Sequence, residues 1–425
     1  MAHAQERRCD EQVCPQGRIA PHPSDPVPPC LAIQHEGGFR NNDWNNATHR
    51  NGRLRQHWSP RPPLTPRAVE QRKSLLSTAF EFRWSAVQLA AANVSTIAVA
   101  ACLLVALFSG SPQCGMAATM GAFPTGFGAH QRLSHLRSAP MILAGFGMGV
   151  CGFLGAILSD SLLGSALVGG GIAAICGFAT QYGQAPWWLT LQWSIAFLLA
   201  ARGPPELPAA LMRGSLVFAG AALQTLVIVV AWHWHPFGAA SDVPRAEATP
   251  PSSRLGWLVQ LFRRVISGQA GLRYAAIAGG TVSAAILIER HLGLGNGYWV
   301  PMTALIILQP KRRDTLVRTA QRIAGTFLGA ISATLFAVIV RPDGIILVSC
   351  VIALAWATYA VQRVNYAAFS FAITSTVVFL IALTGLPEPD AARRRTIATA
   401  IGAALAVGCR YLAGPDSSIE PSQQK

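Results

Sequence analysis

The sequence predicts an all-α membrane protein with about twelve transmembrane helices, arranged as two parallel six-helix repeats. The first observation is the composition, because 51% of the 425 residues are hydrophobic and only 12% are charged. The mean hydropathy is +0.36. The second observation is that most charged residues lie between long apolar runs, a pattern typical of membrane proteins. The third is that several features recur in the same order in both halves of the chain.

Twelve apolar segments follow Trp84, and several reach the length of about 20 residues that a helix needs to cross the hydrocarbon. The predicted spans of the first repeat, residues 84–232, are Ala86–Phe108, Cys114–Phe127, Pro140–Leu158, Ser161–Ala179, Ala185–Ala200 and Ala209–Trp232. The predicted spans of the second repeat, residues 271–414, are Gly271–Ile288, Gly297–Leu308, Gln321–Val340, Ile345–Ala360, Ala367–Leu383 and Thr396–Leu412.

Three segments outside the repeats are polar. Residues 1–72 are basic and rich in proline, with little apolar periodicity, so we expect them to be disordered. They contain no apolar h-region, which argues against a secretory signal peptide. Residues 233–270 form a linker that is too short for a sizeable extra domain, and residues 415–425 form a polar tail.

Glycine spacing supports the internal repeat. The stretch GFGMGVCGFLGA lies opposite GTFLGAISATLF, so that Gly145 and Gly149 correspond to Gly325 and Gly329. Glycines four residues apart let two helix backbones approach closely in a membrane, and we predict helix packing for all four.

A second recurring feature lies near the end of each half. The tetrapeptide GAAL occurs twice, and in both places an arginine precedes it by seven residues, Arg213 and Arg395. Six spans in each half is an even number, so the repeats are predicted to be parallel and related by an axis along the membrane normal.

The distribution of charge predicts the orientation. The formal net charge is +15, and the arginines cluster in loops that face the cytoplasm if the N-terminus is cytoplasmic, as the positive-inside rule requires. These loops suit anionic lipid, so the lipid bilayer rather than nucleic acid is the predicted partner.

Nothing in the sequence predicts a metal site, a cofactor or an enzyme. The nine cysteines show no C-x-x-C or Cys/His zinc spacing. The sequence also lacks the G-x-S-x-G, H-E-x-x-H and P-loop motifs.

The second span of each half marks the predicted solute pathway. Both spans are short and are interrupted by proline, Pro124 in one and Pro301 in the other. Short, proline-broken segments at corresponding positions point to a transport site. A re-entrant loop is the alternative, but it would place two basic loops outside, against the charge rule.

One helical stripe beside this span carries two arginines. At about 100° per residue, Arg318, Arg322, Gly325 and Gly329 fall on one face, and guanidinium groups at the end of such a stripe suit an anion. Anchoring at the lipid headgroups is the alternative interpretation. In the first half Ser138 and Ile142 align with the two arginines, so only the second half keeps this feature.

Other candidate binding residues lie near the predicted outer surface. Arg213 and Arg395 begin helices there, where the charge rule disfavours them, so both are candidates to line the pathway. Trp299 is either an interfacial aromatic or a stacking face for an aromatic solute.

The stretch GYWVPMT, followed by QP, Arg318 and RIAGTFLGA, resembles the fusaric acid resistance protein-like (FUSC) family of membrane transporters, which includes aromatic acid exporters. The resemblance implies export of aromatic or other organic carboxylates across the bacterial inner membrane, with Thr303 of the motif among the substrate-binding residues. It also implies proton-motive-force-driven efflux. The two halves are expected to form one complete pseudo-dimeric unit or to dimerise with a second copy of the chain, and a periplasmic adaptor of an efflux system is a further candidate partner.

No carboxylate lies in the middle of any predicted span, although proton-coupled carriers usually place a titratable group there. We therefore hypothesise that the membrane potential drives export of the organic anion. A non-transporting membrane scaffold and an anion channel are the alternatives.

Overall fold

The computed structural model describes residues 75–133, 136–234, 237 and 269–414. All of them belong to the second of two compact units of the chain, Pro66–Lys425. The predicted N-terminal tail, the predicted C-terminal tail and nearly all of the predicted linker lie outside the described residues.

The described residues are helical and contain no strand. A short helix, α1 (Leu75–Ala79), precedes twelve longer ones. The next six helices are α2 (Leu89–Phe108), α3 (Pro112–Gly126), α4 (Ala139–Ile157), α5 (Leu162–Ala179), α6 (Gln184–Ala200) and α7 (Leu207–Trp234). The last six are α8 (Gln269–His291), α9 (Trp299–Ile307), α10 (Arg312–Val340), α11 (Gly344–Val361), α12 (Tyr366–Ala382) and α13 (Glu388–Leu412).

Every predicted apolar segment corresponds to one of the helices α2–α13, and two of these helices begin two turns or more before the predicted residue. Helix α10 begins at Arg312 rather than Gln321, and α13 begins at Glu388 rather than Thr396. Both early turns are charged and carry acidic residues, which favour a helix N-terminus by interacting with its dipole. Hydropathy detects the apolar part of such a helix and misses its charged first turns.

Seven of the described helices are long and apolar enough to cross a membrane. They are α2, α4, α5, α7, α8, α10 and α11. Helices α3 and α9 correspond to the two predicted proline-broken spans, and they are only 15 and 9 residues long.

The helices pack in two groups, and the largest contacts between the groups occur at two helix pairs. In the group α2–α7, α4 lies against α6 and α7, and α3 lies against α2 and α7. In the group α8–α13, α10 lies against α12 and α13, and α9 lies against α8 and α13. Helix α5 packs on α8, and α2 packs on α11, so each of these two pairs joins one group to the other.

The glycines of α10 lie directly against the backbone of α12. A Cβ atom on Gly325 would lie 2.6 Å from the Cβ of Ser370 and closer still to the carbonyl oxygen of Ala367. A Cβ on Gly329 would lie 2.6 Å from the carbonyl oxygen of Phe371. These distances are shorter than normal contacts, so glycine is required for this approach.

The corresponding glycines of α4 face α7 in a similar way. A Cβ on Gly145 would lie 2.8 Å from the Cβ of Ala221, and one on Gly149 would lie 3.1 Å from the carbonyl oxygen of Gly214. The four glycines that were predicted to pack helices therefore all face a neighbouring helix.

An ion-pair network joins the two groups of helices near the α5–α8 contact. Glu289 at the end of α8 pairs with Arg202, which follows α6, and its other oxygen lies 3.6 Å from Nε of Arg290. Arg290 also donates to the carbonyl oxygens of Ser159 and Ala201, at 2.6 and 2.8 Å. The carboxylate is buried, so the network fixes this end of the α5–α8 contact.

Candidate functional site: two buried arginines

Two arginines from neighbouring helices are almost completely buried. Arg322 of α10 is 2% exposed and Arg395 of α13 is 1% exposed. Helix α10 packs on α13, so the two buried arginines come from helices in direct contact. Arginine stays protonated in proteins, so the interior of this group of helices holds two positive charges.

Arg395 stacks on Trp299. Its guanidinium carbon lies 3.5 Å from the centre of the indole ring, a cation–π geometry. Trp299 is itself buried at the start of α9, and its ring contacts that of Tyr298 at 4.9 Å between centroids. Trp299, for which the sequence allowed an interfacial or a stacking role, therefore covers one face of a buried cation.

Neither buried arginine has a carboxylate partner among the described residues. Nε of Arg322 and both Nε and Nη1 of Arg395 are buried without a hydrogen-bond partner. A buried charge without a counter-ion is costly, because transfer from water to a low-dielectric interior loses its solvation. Unused N–H donors on two such cations are the expected features of an anion site.

Buried hydroxyl groups without partners come from three helices of the same group, α9, α12 and α13. Their oxygens, Oγ1 of Thr303 in α9, Oγ of Ser370 and the phenol oxygen of Tyr366 in α12, and Oγ1 of Thr399 in α13, accept or donate no hydrogen bond. Thr399 is one turn from Arg395, and Ser370 faces Gly325, one turn from Arg322. Hydroxyl groups rotate, so each can offer its proton to an anion.

Arg318 occupies a different environment from Arg322. Its guanidinium carbon lies 4.6 Å from the ring centre of Tyr366 and 5.6 Å from that of Trp187 in α6. Arg318 is half-buried, and its two aromatic contacts come from both groups of helices. The arginine is therefore held between the two groups rather than beside Arg395.

The structure does not bring Arg213 together with the buried pair. Arg213 of α7 is half-buried, its guanidinium lies against Gly203, and it borders a cavity of about 20 Å³. The rest of that lining is apolar and includes Met120, Met148 and Val217. Arg213 therefore belongs to an apolar environment within the first group of helices.

Ile142, which the sequence aligned with Arg322, is also in a different environment. Ile142 is 54% exposed, because α4 turns the face of Met141, Ala144 and Met148 towards the interior. The first group of helices therefore has no second buried cation at this place.

A cavity of about 590 Å³ lies elsewhere, at the α2–α11 contact. Its lining is mostly apolar and includes neither Arg322 nor Arg395. Its volume suits a small molecule, but its carboxylates, Asp343 and Glu388, disfavour an anion. We therefore place the candidate anion site at the arginines and not in this cavity.

Three of the site residues were not singled out from the sequence as binding residues. They are Tyr366, Ser370 and Thr399. The spacing of four between Arg395 and Thr399 places both on one helical face, so this signal was present in the sequence. No group of three potential metal ligands occurs in the part of the chain that the structure describes.

Comparison with known proteins identifies a family for part of the chain. Residues 284–409 match the fusaric acid resistance protein-like family model, which confirms the resemblance seen in the sequence. The matched region contains α9, α10, α11 and α12 and nearly all of α13, and thus every residue of the candidate site.

Three curated bacterial proteins are similar to parts of this chain. An uncharacterized protein of Neisseria gonorrhoeae is 33% identical over 158 residues, which is 37% of this chain and 38% of the relative. An uncharacterized protein of Synechocystis sp. is 30% identical over 143 residues, 33% of this chain and 18% of the relative. One of Haemophilus influenzae is 29% identical over 109 residues, 26% of this chain and 15% of the relative. The chain thus spans less than two fifths of the length of each relative. No solved structure matches it.

Proposed function

From the fusaric acid resistance protein-like family, which residues 284–409 match, we propose that this membrane protein exports aromatic or other organic carboxylates across the bacterial inner membrane. The observation that carries the proposal is the pair of buried arginines without a carboxylate partner, Arg322 and Arg395. Two buried cations without a carboxylate partner among the described residues are costly, and a bound anion would offset that cost.

The chemistry of the site suits a carboxylate. A guanidinium group offers two parallel N–H donors to the two oxygens of a carboxylate, and Arg322 is the residue to which we assign this role. The hydroxyl groups of Thr303, Ser370 and Thr399 supply further donors. Trp299 supplies an aromatic surface beside Arg395, which favours a substrate with an aromatic ring.

We propose twelve spans in two parallel repeats as the frame of this site. The recurring packing supports this arrangement, because α4 contacts α6 and α7 as α10 contacts α12 and α13. The contact of α3 with α7 likewise has its counterpart in α9 with α13. A cytoplasmic N-terminus follows from the positive-inside rule.

We propose that the membrane potential drives export. The carboxylates of the helices α8, α10 and α13 lie near helix ends, which leaves no titratable acid at the centre of a span. An organic anion that leaves an inside-negative cell gains about 2.3 kcal/mol per charge for each 100 mV. This gain sustains an accumulation of about 40-fold outside, since 1.4 kcal/mol is a factor of ten. Proton-driven efflux is the alternative that the family suggests.

Transport by purified protein in proteoliposomes tests the proposal. We expect efflux of a labelled aromatic carboxylate when an inside-negative potential is imposed without a pH gradient. Efflux that requires a pH gradient would contradict the potential-driven mechanism, and no efflux under either condition would contradict the transport function.

A matched pair of variants tests the assignment of the site. Arg322→Ala should abolish efflux, whereas Arg410→Gln should retain it. Arg410 is a buried arginine of α13 like Arg395, but it donates to the carbonyl oxygens of Pro310 and Gly414. Equal loss in both variants would mean that the arginines only stabilise the protein.

A scaffold function is distinguished in cells. A strain without the protein should become sensitive to aromatic acids, and Arg322→Ala should reproduce that sensitivity while the variant remains in the membrane. A scaffold would instead alter the envelope without changing intracellular acid levels. Purification in detergent with light scattering would test for a homodimer, and co-purification would test for a periplasmic adaptor.

A further inference from the structure

We propose that a small monovalent inorganic anion, such as chloride, occupies the site between Arg322 and Arg395 when no organic anion is bound. The inference deepens the proposed function and rests on it, since both place an anion at the same two arginines. It adds a second ligand class, which competes with the organic substrate.

The first step of the argument concerns charge. Arg322 and Arg395 are 2% and 1% exposed, and they lie on α10 and α13, two helices that pack against each other. Like charges in a low-dielectric interior repel more strongly than in water. No carboxylate among the described residues pairs with either arginine. The stacking of Arg395 on Trp299 stabilises one cation but does not remove its charge. The empty site therefore carries two positive charges, and a bound monovalent anion neutralises one of them and screens their mutual repulsion.

The second step concerns hydrogen bonds. Three buried nitrogen atoms of the pair have no acceptor, namely Nε of Arg322 and Nε and Nη1 of Arg395. Buried donors are nearly always satisfied in proteins. The nearby hydroxyl groups of Ser370 and Thr399 are also unpartnered and can turn their protons inward. The N–H groups of the arginines and the O–H groups together form a set of hydrogen-bond donors, which suits a ligand that only accepts hydrogen bonds.

The third step distinguishes an anion from water. A water molecule would accept from some of these donors, but it would leave both charges uncompensated. A halide accepts from several donors at once and supplies the missing charge. The only anionic side chains that could replace it are carboxylates, and the helices that form the site carry theirs near their ends.

Thermal unfolding of the purified full chain in detergent tests the proposal. Sodium chloride should raise the melting temperature in a saturable way relative to sodium gluconate at equal ionic strength, since a ligand that binds only the folded state stabilises it. The rise should be absent from Arg322→Gln and Arg395→Gln and present in Arg410→Gln. An equal rise in all four proteins would overturn the proposal, because it would report a general salt effect.

Direct binding keeps the test decisive if the arginine variants do not fold. Equilibrium dialysis of the unsubstituted protein against labelled chloride should give one bound ion per chain, displaced by benzoate. The variant Arg322→Lys keeps the charge without the fork of donors and should lower chloride affinity by about 30-fold or more. No saturable chloride binding by the unsubstituted protein would overturn the inference. Chloride binding without carboxylate transport would refute only the proposed function, and transport insensitive to chloride would refute only this inference.

Discussion

Replacing Gly325 by alanine tests whether the contact between α10 and α12 sets the position of Arg322. The new Cβ would lie 2.6 Å from the Cβ of Ser370, whereas ordinary contacts begin at 3.4 Å. The other close neighbours are backbone atoms of Ala367 and Phe371, which cannot rotate away. The two helices must therefore separate by about 1 Å, and overpacking of this kind costs about 1–3 kcal/mol.

The same separation should impair transport. Arg322 lies one turn before Gly325 on α10, so it moves away from Ser370 with the helix. A displacement of about 1 Å at a working site can reduce a rate by about 100-fold. We therefore expect Gly325→Ala to lower both the melting temperature in detergent and the initial rate of carboxylate efflux from proteoliposomes.

The control for this variant is Gly280→Ala in α8. A Cβ at Gly280 would meet no atom within 4 Å, and alanine in a helix interior is favoured over glycine by up to about 1 kcal/mol. Gly280→Ala should therefore be as stable as the unsubstituted protein or more stable, with unchanged efflux. If Gly325→Ala behaves like Gly280→Ala in both assays, the close contact does not position the arginine and our reasoning is wrong.

Two further predictions concern stability. Burial and the nearby Arg363 lower the pKa of His130, in the turn after α3, from 6.5 to about 4. As the pH falls from 6.5 towards 4, His130 therefore becomes protonated in the unfolded chain but stays neutral in the folded chain. The free energy of unfolding should drop by about 2 kcal/mol between pH 7.5 and pH 5.0. Melting curves should show a smaller pH effect in His130→Gln than in the control His291→Gln, whose histidine is exposed. Equal pH effects in the two variants would contradict the assignment. Glu289→Gln should cost about 1–3 kcal/mol, because it leaves Arg202 and Arg290, which are 34% and 20% exposed, without their carboxylate. Denaturant titration measures this cost, and the exposed Glu206→Gln should change stability by less than about 0.5 kcal/mol; equal effects would show that the network adds nothing.

Hydropathy predicted the positions of the helices, but it did not predict the charged first turns of α10 and α13. A helix that packs in lipid or in a protein interior needs apolar residues, and each of the twelve predicted apolar segments corresponds to a helix of the structure. The first turns of α10 and α13 hold Arg312, Arg313, Glu388 and Asp390, whose hydropathy resembles that of a loop. Helix formation there depends on continuity with the apolar part and on end effects, which a hydropathy sum does not contain.

The candidate site was only partly predictable, because it depends on contacts between distant residues. Arg322 and Trp299 were identified from a helical stripe and a family motif. Their relation to Arg395, which lies on Trp299, comes from the packing of α9 and α10 on α13 and has no signature in local spacing. The same limit applies to Arg213, which has a sequence position like that of Arg395 yet borders an apolar cavity.

The charge on α13 has a consequence for the way in which the chain enters the membrane. Helix α13 begins with two acids and three arginines, and it is not among the seven helices that are apolar enough to cross a membrane by composition. Each arginine at the centre of an inserting helix costs about 2.5–3.5 kcal/mol, so α13 has little tendency to partition into lipid alone. Contacts with α9 and α10 that bury Arg395 must compensate for that cost. Insertion of α13 therefore depends on helices already in place, and the proposed anion site is completed in the same step.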